Sequence, residues 1–488
     1  MAGYKVTIGL EIHAELNTKT KMFCGCLNPA ASSGLTLSNA EWVNDLDEKH
    51  PNVNVCPVCL GHPGVLPVAN REAINSIVRI GLAVGGEIPE FSKFDRKSYF
   101  YPDLPKGYQI SQYDEPLVKG GKIAGVKLTR VHLEEDTARS IHDREGGSLV
   151  DFNRSGVPLM ELVTEPVITS ADEALRMAKE LQLILRYLNV SEANMEKGEM
   201  RVEANVSVSK GETLGTKVEV KNINSFRAVK DAIAYEVNRQ TEVLEEGGKV
   251  IQETRGWDDV KQETFSQRSK EEAHDYRYIP EPDIPPIRIS KEKLEELRLS
   301  IPEMPGEKRK RLAKEYGLAA ERVEILVADK NLAGYFEEAV SEAREISEPA
   351  PIDLLFNYLT TDLKGLLGGE DFGGEGLKIT PENFAELVVM LSKNQVSSRV
   401  AKDVLKKMFE TGVDPNSIVG EAGLHQISGE EEVREFVKEA IAKNPKAVED
   451  YKKGKENASQ FIVGQVMGKT KGRANPEVIK KILSDLLK

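Results

Sequence analysis

Strict alternation near the start of this chain limits its fold more than any other feature. In IGLEIHAEL, apolar side chains fill positions 8, 10, 12, 14 and 16, while Glu11, His13 and Glu15 fall between them. A period of two sends successive residues to opposite sides of a strand, so the segment specifies one core face and one polar face. Taken alone, that polar face reads as a solvated outer surface. Its meaning depends on what other strands place beside it.

With 488 residues, the chain exceeds what one ordinary core encloses, and typical domain sizes predict about three domains. Up to Ser290, β-rich stretches (KVTIGLEIHAEL, GGKIAGVKLTRVHLEED, EMRVEANVSVS, GTKVEVKNI) alternate with helices across glycine-rich connections, which predicts a large α+β domain. The proline cluster from Tyr278 to Ser290 lacks the N–H groups for a regular ladder and predicts an extended crossing segment, with a boundary just after it. Lys291 to Ile346, rich in Glu, Lys, Ala and Leu, predicts a helical connector. Gly365 to Gly376 (GLLGGEDFGGEG) reads as a flexible joint. A small all-α domain follows. Its first helix is capped by Thr380 and Pro381 and carries Phe384, Leu387 and Leu391 on one stripe. Its second opens near Ser397 and buries Val400, Val404, Leu405 and Met408. The predicted domains are 1–293, 294–375 and 376–488.

All four cysteines fall in two pairs, Cys24 with Cys26 and Cys56 with Cys59. C-x-C and C-x-x-C spacings let two short knuckles each turn two thiolates toward one tetrahedral zinc ion. Four thiolates leave no open position, so a zinc knuckle at 24–59 is structural.

Further acids occupy unexpected places. Glu134, Glu135 and Asp136 follow His132 in RVHLEEDTARS, Glu161 sits inside the apolar PLMELV, and Glu203 shares a strand face with Arg201 and Asn205. A carboxylate in an apolar run is costly to bury unless it is paired or holds a cation. If these strands are neighbours, Glu11, His13, Glu135 and Glu161 make a mixed oxygen and imidazole site suited to Mg²⁺ or Mn²⁺ with a nucleotide phosphate. Between Phe94 and Pro116, cations alternate with aromatics (Arg96, Lys97, Tyr99, Tyr101, Lys106, Tyr108, then Gln109). That composition fits either stacking on a nucleotide or RNA end or an aromatic loop packed on the sheet. GQVMGKT, Gly464 to Thr470, is one residue short of a phosphate loop, and its lysines read as RNA-backbone contacts instead.

The formal charge of −13 excludes a protein that grips nucleic acid with its whole surface. Residues 451–488 are the exception, with nine Lys or Arg against three Asp or Glu, a local net of +6. No apolar run approaches the roughly 18 residues of a membrane span, no secretory signal is evident, and unpaired thiols are expected in a cytoplasmic protein.

Together IGLEIHAEL, FDRKSYFYPDLPKGYQISQYDEP, HLEEDTARS, SLVDFNRSGVPLMELVTEP, GTKVEVKNINSF, QETRGWDD and DYRYIPEPDIPP resemble, in order, the GatB/GatE family, the B subunits of tRNA-dependent Asp/Glu amidotransferases. The resemblance continues through NQVSSRVAKDVLKKMF and ASQFIVGQVMGKTKGRANP, which are similar to a YqeY-like tail. It implies a catalytic cradle of glutamine synthetase-like type, a helical linker and a tRNA-binding tail, with Lys469, Lys471 and Arg473 in the tail contact. It also implies a heterotrimer, in which an amidase releases ammonia from glutamine and a small third subunit holds the pair together. ATP phosphorylates the side-chain carboxyl of Glu on mischarged tRNA(Gln), or of Asp on tRNA(Asn), and ammonia attacks the acyl phosphate. The implied Mg²⁺ ligands are Glu11, His13, Glu135 and Glu161, and the implied ATP or substrate contacts are Lys106, Tyr108, Gln109, Arg201 and Glu203. The polar face of IGLEIHAEL then becomes the floor of a metal and nucleotide site, with Glu15 left solvated. Lys221, Asn222 and Asn224 either line an ammonia path or form a hydrogen-bonded strand end. A non-catalytic tRNA-binding scaffold is the competing expectation.

Overall fold

The computed structural model describes all residues except 1–2, 30–49, 143–146, 212, 270–275, 370, 375, 428, 454, 471 and 488. It forms two compact units, Met1–Lys308 and Arg309–Lys488.

The first unit is organised by one sheet. Its strands are β1 (Tyr4–Glu15), with β2 (Asp95–Ser98) and β3 (Tyr108–Ser111) forming a separate small sheet, then β4 (Val118–Lys119), β5 (Lys122–Ile123), β6 (Val126–Glu135), β7 (Pro158–Thr164), β8 (Met200–Lys210), β9 (Val218–Ile223), β10 (Glu253–Asp258) and β11 (Glu263–Ser269). The strand order in the large sheet is β11-β10-β9-β8-β1-β7-β6-β4, and β5 also pairs with β6. All pairings are antiparallel except β9 with β10. β1 is therefore central, hydrogen-bonded on both edges.

Its alternation is realised as read. Ile8, Leu10, Ile12, Ala14 and Leu16 are buried in the main core, whereas Glu11, His13 and Glu15 are only partly covered. The same core takes Val202, Ala204 and Val206 of β8 and the apolar sides of helices Ala171–Tyr187 and Phe226–Glu245. Each helix starts where a serine, Ser170 or Ser225, accepts a backbone N–H of the first turn. With helices on one face, the sheet presents its polar residues on the other.

The proline-rich segment does cross the unit, and it also forms two short pairings, Ile279–Pro280 with β2 and Ile287–Arg288 with Phe91–Ser92. Pairs of two residues at sheet edges are what proline tolerates. The first unit continues past the proline cluster to Lys308, because helix Lys291–Leu299 packs on helix Arg71–Ala83, and Ile301 and Met304 pack on the core.

The second unit is built of helices. Helix Pro381–Ser392 has the Thr380 cap with Pro381 inside its first turn, and helix Ser398–Thr411 has the Ser397 cap and buries Val400, Val404, Leu405 and Met408. Helices flanking the glycine-rich stretch pack on one another. Tyr335 of helix Lys330–Ile346 donates to Ile379 O at 3.0 Å and meets the Phe384 ring edge-on. Helices Glu430–Lys443, Glu456–Lys469 and Pro476–Leu487 share a further core around Val433, Ile462 and Ile482. No helix among the described residues is long and apolar enough to cross a membrane.

Candidate active site

Four side chains from distant parts of the sequence line up across the polar face. His13 lies opposite Glu161 on one side and Arg201 on the other, and Glu161 lies opposite His132. The row Arg201, His13, Glu161, His132 thus spans β8, β1, β7 and β6. In the next row, Glu11 faces Glu203 and Val163, and Val163 faces Arg130.

Glu161 is the hub. Its Oε2 is 3.4 Å from Nε2 of both His13 and His132, and its Oε1 is 3.6 Å from Arg130. His13 Nε2 is also 3.7 Å from Glu11 and from Glu134, and Ser111 Oγ donates to Glu134 at 3.0 Å. Burial works against charge on Glu161, but the His132 and His13 imidazoles outweigh it and hold its pKa well below the ordinary carboxylate value. Burial opposes charge on His13 too, yet Glu161, Glu134 and Glu11 lift its pKa to about 9. Glu11 is raised by burial and by the Glu161 charge.

Two sets of donor atoms converge there, Glu11 with His13 and Glu161, and His132 with Glu134 and Glu161, each within 4.8 Å of one another. Carboxylate oxygens with an imidazole suit a divalent cation, and Glu161 belongs to both sets. The Asn205 Oδ1, on the Glu203 face of β8, is buried and has no hydrogen-bond partner among the described residues.

Glu135 stands elsewhere. Adjacent residues of a strand face opposite ways, and Glu134 takes the side shared with His132. The Glu135 carboxylate accepts from Ile110 N at 2.9 Å and pairs with Lys106 Nζ at 2.6 Å, and its carbonyl accepts from Gln109 Nε2 at 2.7 Å. Lys106 and Arg96 both approach the Tyr108 ring. Lys106, Tyr108 and Gln109 are therefore brought together around Glu135, beside the metal-type cluster and not within it. The sequence carries a local signal for this: Glu135 has the parity of Val131 and Leu133, the buried apolar residues nearest to it in β6, whereas Val126 and Leu128 lie beyond a register shift. Glu134→Gln is expected to weaken divalent-cation binding. Glu135→Gln is expected to leave that binding intact while unfolding more easily, by about 3 kcal/mol, because Lys106 loses its buried partner. Calorimetric titration with Mn²⁺ and thermal unfolding of both variants check this.

Arg201 pairs with Asp136 at 3.3 Å, which Arg154 also approaches at 3.2 Å, and Glu203 pairs with Lys221 at 2.7 Å. Glu15 is not simply solvated: burial and the nearby Asp136 push its pKa up to about 8. The sequence pattern places Lys97 of β2 only within an aromatic loop. Its ammonium lies 5.0 Å from the Tyr276 ring centroid and 5.9 Å from that of Tyr99. Burial opposes its charge, but Glu134 and Glu161 hold its pKa above the usual lysine value.

The four cysteines meet. Their sulfurs lie within 4.8 Å of one another, and Cys56 and Cys59 are 3.8 Å apart. Tetrahedral zinc with Zn–S of about 2.3 Å needs sulfurs about 3.8 Å apart, so the donor set fits. Residues 30–49 of the predicted knuckle lie outside the described residues. In the tail, Lys469 pairs with Glu439, and Arg473 donates to Gly423 O at 2.9 Å; Lys471 lies outside the described residues. GQVMGKT is helical through Lys469, so it forms no phosphate loop.

Two family models match: the GatB/GatE catalytic domain over residues 6–295 and the GatB domain over residues 334–487. Among curated proteins, the chain is 46% identical over 494 residues to the B subunit of the aspartyl/glutamyl-tRNA(Asn/Gln) amidotransferase of Thermoanaerobacter sp. (strain X514), covering 99% of each. The same-named proteins of Carboxydothermus hydrogenoformans and Brevibacillus brevis are 45% identical over 501 residues and 44% over 498, each match spanning all of this chain and 99% of theirs. Matched over nearly its whole length by these proteins, the chain belongs to the GatB/GatE family of amidotransferase B subunits.

Proposed function

We propose that this chain is the carboxylate-activating subunit of a tRNA-dependent amidotransferase. The observation that carries the reading is the row Arg201, His13, Glu161, His132, flanked by Glu11 and Glu134. The substrate is the side-chain carboxyl of Glu on tRNA(Gln) or of Asp on tRNA(Asn). A carboxylate oxygen forms a bond to the γ-phosphorus of ATP, and the bond to ADP breaks. The lone pair of ammonia then attacks the acyl carbon, phosphate leaves with the bonding electrons, and the added nitrogen loses a proton, giving the amide.

Phosphoryl transfer depends chiefly on positioning and charge neutralisation. Glu11, His13, Glu134 and Glu161 would hold Mg²⁺, which when bound neutralises phosphate charge; Glu135 is the sequence expectation, and its pairing with Lys106 favours Glu134 for that role. Arg201 and Arg130, at the margins of the cluster, and Lys97 supply fixed positive charge for the triphosphate and the substrate carboxylate. Lys106, Tyr108 and Gln109 present a cation, a ring face and an amide beside it for nucleotide or substrate, and Glu203 keeps Lys221 toward the same face. The four cysteines would hold a structural zinc ion. We assign the first unit, which runs past the sequence-based boundary at 293 to Lys308, to a cradle of glutamine synthetase-like type, the helices that follow up to 375 to a linker and 376–488 to a YqeY-like tail whose +6 terminus, including Lys469, Lys471 and Arg473, meets tRNA. Ammonia comes from a partner amidase, the heterotrimer is completed by a small third subunit, and the assembly works in the cytoplasm.

ADP release by the chain copurified with its partner subunits tests the reading. Release is expected only with ATP, Mg²⁺ and mischarged Glu-tRNA(Gln) or Asp-tRNA(Asn) together, and is expected to vanish in His13→Ala. Tight tRNA binding without any turnover would instead support the scaffold.

A further inference from the structure

Beside the cysteines lies a lysine that no part of this chemistry uses. Lys21 is completely buried, and its Nζ donates to Asn54 O at 2.9 Å and to Phe152 O at 3.3 Å and lies 3.8 Å from Cys59 Sγ. No carboxylate among the described residues pairs with it. A buried ammonium surrounded only by neutral groups is costly, so a lysine kept in such a place calls for a counter-charge. Among the described residues, the Cys59 sulfur is the one atom in contact that carries charge when it ligates a metal. The need is mutual: four thiolates on a divalent ion leave two formal negative charges, and one ammonium beside the buried Cys59 halves that excess.

The surroundings are shaped for this contact. Lys21 N donates to Cys26 O at 2.9 Å, closing the first knuckle over the side chain, and Cys56 N points at Cys59 Sγ at 3.1 Å. Gly156, beside Cys59 and Lys21, has φ +83°, a backbone conformation that favours glycine in the turn lying against them. The Ser155 hydroxyl donates to Cys59 O at 3.1 Å, and Met22 N donates to Gly156 O at 2.6 Å. One lysine thus joins the first knuckle, through its backbone N–H, to the second knuckle and the turn that leads into β7, through its ammonium.

We propose that Lys21 is the internal counter-ion of a metal–thiolate centre at Cys24, Cys26, Cys56 and Cys59, a positioning residue that holds the Cys59 thiolate and so retains the metal. The inference rests on the reading that the cysteines bind metal. Partners of metal ligands commonly change affinity by about 10–100-fold when removed. Lys21→Met, which keeps the stem, and Lys21→Gln, which keeps a donor without charge, separate charge from hydrogen bonding.

The test uses the full chain with its partner subunits and measures metal per chain by elemental analysis, zinc release to EDTA, and the thiolate charge-transfer band after Co²⁺ substitution. Both variants are expected to lose zinc at least about tenfold faster than wild type, with the band moved to lower energy as the thiolate loses its cation. In a background with all four cysteines replaced by serine, Lys21→Met is expected to raise the unfolding temperature, because the stranded charge is gone. In the zinc-loaded protein it is expected to lower it. That reversal of sign also serves if metal loading of the variants fails. Zinc retention by Lys21→Gln equal to wild type, or an equal fall in unfolding temperature in both backgrounds, would reduce Lys21 to a structural donor and overturn the proposal. Wild-type protein with reduced cysteines and no bound metal would overturn the metal reading itself.

Discussion

Glu161→Gln is expected to reduce tRNA-dependent ADP formation by about 1,000-fold or more while leaving tRNA affinity unchanged. The side chain is nearly isosteric, so packing within PLMELV is preserved and the loss is electrostatic. Glu161 belongs to both donor sets and touches both imidazoles at 3.4 Å. An amide at that point removes the charge offsetting His13 and His132 and takes a ligand from each cation position. A loss of about 4 kcal/mol in transition-state charge stabilisation corresponds to the stated factor. Single-turnover ADP release at saturating Mg²⁺, with filter binding of the same tRNA, checks it. Turnover within tenfold of wild type would remove Glu161 from the centre of the mechanism.

The second large effect concerns the cysteines. Cys59→Ser is expected to release bound metal and to lower hydrogen-exchange protection by about 100-fold in residues 18–29 and 50–67, while the strands flanking β1 keep theirs. The contrast follows from what holds each region. β1 and its neighbours are fixed by ladders and a continuous apolar core. The knuckle segments have loop backbone and few buried apolar side chains, so the ligand bonds of a bound metal would carry much of their order. Equal protection in the two proteins would mean that packing around Phe23 and Lys21 suffices.

The strands that build the site are legible because one face is apolar at every second position, and IGLEIHAEL and MRVEANVSV display that phase without ambiguity. Convergence is not legible, since nothing local states that β1 pairs with β7 and β8. Glu134 and Glu135 show the limit most clearly: two equal residues in sequence acquire opposite surroundings because a strand turns over at each step. Lys97 is visible as a cation among tyrosines, but its approach to the acids depends on how β2 lies over the sheet. The proline cluster marks an extended segment correctly. The packing of Leu297, Ile301 and Met304 beyond it is tertiary and leaves no local trace.

The central place of β1 has a consequence for the order of events during synthesis. His13 leaves the ribosome first, yet its neighbours in the row arrive only with His132, Glu161 and finally Arg201. Pairings so distant in sequence form late and slowly. A nascent chain therefore holds its earliest strand unpaired at both edges until β7 has been made, and at one edge until β8 follows. A chain cut short before β8 lacks Arg201 and cannot assemble the row.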